Sequence, residues 1–145
     1  MMSLRFGKDI FDYINNIRNP KVKQIMKRRV QEYLPKPGFA DKFEDVVNKV
    51  FFIVFSAEWN SECQVHVSSL AKIMVLAKNN NLTVKVIDYD EYRDIAEELG
   101  VLKIPTAIVY DKNWRELGRF VAKPQKHATI EEELWDILDK NLNQQ

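Results

Sequence analysis

Few side chains in this sequence can do chemistry, and most of them lie in one short stretch. Cys63 is the lone cysteine; it ends the run Trp59-Asn60-Ser61-Glu62-Cys63, and His66 follows three residues later. A thiol is a nucleophile only as its thiolate, a form that helix N-terminal amides and a nearby imidazolium favour and that burial opposes. Three residues on a helix bring an imidazole near a thiol. Two readings follow. Cys63 is an inert core cysteine beside a surface histidine, the favoured one, or it is a reactive monothiol or thiol sensor with His66 assisting. One cysteine excludes an intrachain disulfide and a thiolate-only zinc site. Glu58 and Glu62 flank the run. Paired carboxylates can serve acid–base catalysis, but without a partner set they read as a solvated face and a favourable first-turn charge. His127 has no visible companion and takes no role. No glycine-rich phosphate loop and no His/carboxylate cluster with metal spacing is present in the sequence, so neither metal nor cofactor is expected.

The elements that must position these residues follow from periodicity. Ile10, Phe11, Ile14 and Ile17 predict a helix over 8–17. Asn19-Pro20 is an N-cap followed by proline at the first helical position. It opens a helix over about 20–33 with Val22, Ile25, Met26, Val30 and Tyr33 as its apolar stripe. Pro35-Lys36-Pro37-Gly38 ends it. A third helix is expected over 41–48, with Phe43, Val46 and Val47 inward. Phe51 to Phe55 is then a continuous apolar run, the mark of a strand covered on both faces. A helix from Asn60 to Lys78 places Cys63, Val67, Leu70, Met74 and Ala77 on one stripe, so Cys63 faces the core. Further on come a strand over 82–88, a helix over 90–99 stopped by Gly100, and strands over 106–110 and 116–121. The last two form a hairpin with Trp114 in its turn, as a packing residue rather than a binding anchor. Thr129-Ile130-Glu131-Glu132 is a capping box that opens a last helix. The order β-α-β-α-β-β-α after residue 50 gives an α/β fold, a mixed sheet of about four strands with flanking helices.

The whole chain of 145 residues carries 22 basic and 21 acidic side chains, so it has no global field for nucleic acid or membrane. Residues 1–38 hold nine basic against three acidic residues, +6 locally against −5 for the rest. Lys21, Lys23, Lys27, Arg28 and Arg29 cluster there without interleaved aromatics, which gives little ground for nucleic acid and more for an acidic protein partner. Packing of this segment on its own acidic body is the plainer explanation. No apolar run is long enough to span a bilayer, and Arg5, Lys8 and Asp9 interrupt any leader-like stretch. A cytoplasmic protein is expected.

Ser56-Ala57-Glu58-Trp59-Asn60-Ser61-Glu62-Cys63 follows a strand and opens a helix. In that place it resembles the active-site loop of the thioredoxin family, which reads Trp-Cys-x-x-Cys. Val101-Leu102-Lys103-Ile104-Pro105-Thr106 resembles the family's Ile-Pro-Thr loop, whose proline is cis and faces the active site. Asp88-Tyr89-Asp90 resembles the acidic strand end between them. The resemblance covers residues 50–143 or so. It implies a thioredoxin-like domain over 39–145, with 1–38 a basic N-terminal helical extension packed on that body.

Two departures concern the chemistry the resemblance implies. The family's leading cysteine, its nucleophile, is Asn60 here, and an amide cannot attack a disulfide. The buried aspartate that many thioredoxins carry in the preceding strand is Val54. The resemblance therefore implies a relative of thiol–disulfide oxidoreductases without conventional dithiol exchange, in a protein-binding or accessory redox role. Its docking surface is a groove at Trp59, Ile104, Pro105 and Thr106, taking a protein or an extended peptide. The alternatives are a monothiol enzyme or sensor at Cys63, or an active oxidoreductase if Asn60 replaces a parental cysteine.

Overall fold

The computed structural model describes residues 7–142. In chain order the elements are β1 (Lys8–Asp9), α1 (Ile10–Asn15), α2 (Pro20–Glu32), α3 (Phe39–Glu44), β2 (Val50–Ser56), α4 (Ser61–Ala77), β3 (Leu82–Asp88), α5 (Arg93–Glu98), β4 (Thr106–Asp111), β5 (Glu116–Val121) and α6 (Ile130–Leu142). They form one five-stranded sheet in the order β1-β3-β2-β4-β5. Strands β2 and β3 are parallel, joined by the α4 crossover, and the other pairings are antiparallel. This is the mixed α/β architecture expected, with β1 added to the four anticipated strands. Phe52, Ile53, Val54 and Phe55 of β2 are fully buried, as a strand covered on both faces requires. Phe51 is half-buried and stacks on Trp114, ring centroids 4.3 Å apart.

Helix boundaries moved where side chains captured backbone groups. The helix expected over 8–17 begins at Ile10, because Asp9 caps it by accepting from the Phe11 N–H at 3.0 Å. That leaves Lys8 and Asp9 extended to pair with Val86 and Lys85 of β3. Helix α3 ends at Glu44 instead of 48. The Asn79 side-chain amide donates to the carbonyls of Phe43, Glu44 and Val46, which turns the chain there. Val47, expected inward, is consequently exposed, and so is Ile25 of α2. Gly38 opens α3 at φ 84°, a left-handed conformation that glycine adopts without a Cβ penalty.

The helices before residue 45 pack about α4, which also meets α6. Arg29 of α2 turns inward, donating to Ser68 Oγ at 2.9 Å and Ser69 Oγ at 3.0 Å of α4. It therefore leaves the exposed basic cluster, of which Lys21, Lys27 and Arg28 remain at the surface. Tyr33 donates to Glu131, and Lys36 pairs with Glu132 at 3.1 Å. The β5–α6 contact is close. A Cβ on Gly118 would lie 3.1 Å from the Ile137 side chain. Gly118→Val is expected to cost about 1–3 kcal/mol through overpacking, read as a lower urea midpoint with unchanged slope. An unchanged midpoint would show that α6 can give way there.

Candidate functional site

Strand register decides where the site lies. Ser56 at the end of β2 stands beside Asp88 at the end of β3, and Phe55 beside Thr106 at the start of β4. The loop after β2, the turn after β3 and the loop before β4 therefore converge at the carboxyl edge of the parallel pair. That is where ligand sites of open α/β sheets form.

Asn60 sits at the mouth of α4 as its N-cap, φ −87° and ψ 124°, and its Oδ1 accepts from the Cys63 N–H at 2.9 Å. The amide thus takes one of the free helix donors that would stabilise a thiolate in its place. Cys63 is 1% exposed. Burial pushes its thiol pKa up, and hydrogen bonding to the Ala57 backbone and the Ser56 side chain only partly offsets this. Beneath the loop, where the family resemblance leads one to look for an acid, Val54 is fully buried. The polar group nearby is instead the Ser56 hydroxyl, 3.0 Å from the Tyr13 hydroxyl of α1. Tyr13 was absent from the stripe read for α1, and its burial drives its own pKa upward.

Trp59 is 63% exposed, and its indole Nε1 donates to Asp90 Oδ2 at 2.7 Å. That bond, with Arg93 2.9 Å from the same carboxylate, holds the Asp90 carboxyl below its ordinary range. Glu58 accepts from the backbone N–H groups of Arg18 and Asn19 at 3.0 and 3.1 Å. It is the anchor of the loop to the start of α2, in addition to carrying a solvated charge. Trp59, Glu58, Asp88, Asp90, Tyr13 and Tyr92 border a cleft of about 690 Å³. Across the site the Ile104–Pro105 peptide is cis. Ile104, Pro105 and Thr106 are buried, Thr106 Oγ1 donates to the Lys103 carbonyl at 2.6 Å, and Leu102 beside them is 81% exposed.

His66 is not the surface residue anticipated. It is 8% exposed, with Nε2 2.8 Å from Glu62 Oε2 and its ring edge-on to Phe120. Burial lowers its pKa, which Glu62 partly offsets. A depressed imidazole pKa means the unfolded chain takes up the proton first. Stability contributed by neutral His66 is present above pH 6.5 and is lost as pH falls through the folded-state value. Urea midpoints between pH 7.5 and 5 are expected to fall more steeply for the natural chain than for His66→Gln. Equal slopes would remove His66 from the account. His127, read as solitary, has companions: its Nε2 lies 2.5 Å from Asp136 Oδ2, and Glu133 lies close by. The chain before α6 folds back because Glu133 accepts from the backbone amides of Gln125 and Lys126.

A thioredoxin family model matches residues 7–135, taking in the N-terminal helices that the loop motifs left outside. A thioredoxin from Echinococcus granulosus is 36% identical over 75 residues, 51% of this chain and 66% of that protein. The match thus spans just under two thirds of that relative. Among solved structures, a protein of unknown function from Pseudomonas aeruginosa superposes with a TM-score of 0.72 at 20% identity. That superposition covers 97% of this chain and 81% of the other. The germline-specific thioredoxin Deadhead of Drosophila melanogaster gives 0.51 at 22% identity, covering 72% of this chain and 91% of its own. At these identities the structures bear on the fold alone.

Proposed function

The chain belongs to the thioredoxin family, and on that premise we propose that it has given up conventional dithiol–disulfide exchange and acts as a protein-binding or accessory member of that redox family. The observation that carries this reading is Asn60 at the mouth of α4, its amide bonded to the Cys63 N–H. Disulfide exchange begins with a thiolate attacking a sulfur, and a carboxamide supplies neither the charge nor the leaving chemistry. The buried Cys63, its pKa raised, supports the same reading because a resolving sulfur has nothing to resolve without a leading one. The exposed Trp59 supports docking of an extended segment at the site, while Ile104, Pro105 and Thr106 of the expected groove lie buried and offer little surface to it. The exposed Lys21, Lys27 and Arg28 of α2 suit an acidic partner.

The test is reduction of insulin disulfides by dithiothreitol with and without the protein. Precipitation no faster than with dithiothreitol alone is expected. Turnover comparable to that of a dithiol thioredoxin run alongside would overturn the reading.

A further inference from the structure

We propose that His127, Glu133 and Asp136 form a binding site for a zinc-class divalent cation at the first turns of α6. One ligand atom from each of the three lies within 4.8 Å of the others. Zinc bonds imidazole nitrogen and carboxylate oxygen at about 2.0–2.2 Å, which sets its ligand atoms about 3.3 Å apart in a tetrahedron. Small side-chain rotations would bring the three to that spacing, His127 Nε2 and Asp136 Oδ2 moving apart from the 2.5 Å at which they are hydrogen-bonded.

The imidazole distinguishes this trio from an ordinary patch of surface carboxylates. One nitrogen with two carboxylates suits zinc, nickel or cobalt, whereas magnesium and calcium favour oxygen alone. Glu133 is held in place by the loop before α6. The Lys126 N–H donates to Glu133 Oε1 at 2.9 Å, which leaves the second oxygen to the ion. Glu132 Oε2 lies 3.9 Å from His127 Nδ1, near the ring but outside hydrogen-bond distance. Glu132 is itself fixed by Lys36 at 3.1 Å and by Thr129 Oγ1 at 3.0 Å. Since His127 comes from the loop and the carboxylates from α6, the ligands converge only in the folded chain. Bound ion therefore stabilises it.

Calorimetric titration of Zn²⁺ into the full chain tests this. One equivalent is expected to bind, with affinity reduced at least tenfold by His127→Ala and by Glu133→Gln, and with Mg²⁺ at equal concentration failing to compete. Glu133→Gln keeps an acceptor for the loop amides and so separates loss of a ligand from loss of the loop. The melting temperature of the natural chain should rise with Zn²⁺ while that of His127→Ala stays fixed. No binding at 100 µM Zn²⁺, affinity unchanged in both variants, or binding abolished by Cys63→Ser, which would put the ion on the thiol, each overturns the proposal.

Discussion

Asn60→Cys is expected to turn a chain that leaves insulin disulfides intact into one that reduces them. The substitution puts a sulfur at the extended N-cap position of α4, three residues before Cys63. There the unpaired amides of the first turn and the helix dipole lower a thiol's pKa. The new thiolate attacks the substrate disulfide and expels one substrate thiolate, leaving a mixed disulfide. Cys63 then gives up its proton and attacks the sulfur introduced at position 60, closing the intramolecular disulfide and releasing the second substrate sulfur as a thiol; dithiothreitol reduces that bond and restarts the cycle. Deleting the nucleophile of a serine-protease triad costs about 10⁶-fold. Supplying one beside an intact second sulfur is expected to return at least about a hundredfold over the natural chain. The gain is bounded by Cys63 itself, whose raised pKa and Val54 surroundings slow the second step. The mixed disulfide should therefore accumulate enough to be seen by mass spectrometry. Loss of the cap bond from Asn60 Oδ1 to the Cys63 N–H costs about 0.5–2 kcal/mol, so activity rises while stability falls. A folded variant that forms the intramolecular disulfide yet reduces nothing would mean that Asn60 is not what withholds the chemistry.

The parts of this site readable from sequence are those governed by local pattern. A run of five apolar residues before a polar loop has few solutions other than a buried central strand, and Phe51 to Phe55 took that one. Asparagine before a helical stripe is an N-cap by the chemistry of its side chain, and Asn60 and Asn19 both bond first-turn amides. The cysteine stripe of α4 placed Cys63 inward correctly for the same reason. What pattern could not carry is partnership across the fold. A two-residue strand such as β1 has no periodicity to read; it exists because β3 offers an unpaired edge. His66 looked like a surface residue because helical spacing does not show that Phe120 of β5 covers it. Tyr13 meets Ser56, and Glu58 meets the amides of Arg18 and Asn19, only once the N-terminal helices dock. His127 looked solitary because its companions lie six and nine residues on, across a loop whose return depends on Glu133 taking two backbone amides.

In the native protein, Cys63 is expected to react with iodoacetamide about a thousandfold or more slowly than in 6 M guanidinium. The sulfur is 1% exposed, so reagent reaches it only through an opening event, whose cost sets the slowing. Global unfolding alone, at about 5–15 kcal/mol for a domain of this class, would slow the reaction by far more than a thousandfold. Fraying of the first turn of α4 costs less than global unfolding, and it is the opening expected to set the native rate. That event has a handle. The cap bond from Asn60 holds the Cys63 amide, and Asn60→Ala weakens it by about 0.5–2 kcal/mol. Native labelling should then rise about two- to thirtyfold while the rate in guanidinium stays the same. Urea separates the two routes, because a fraying turn exposes little surface and its labelling rate barely responds to low urea, whereas a globally gated one rises steeply. Native labelling within about tenfold of the unfolded rate would mean an open, reactive sulfur. The chemistry at this site would then belong to Cys63 acting as a lone thiol rather than to a core residue beneath a silenced loop.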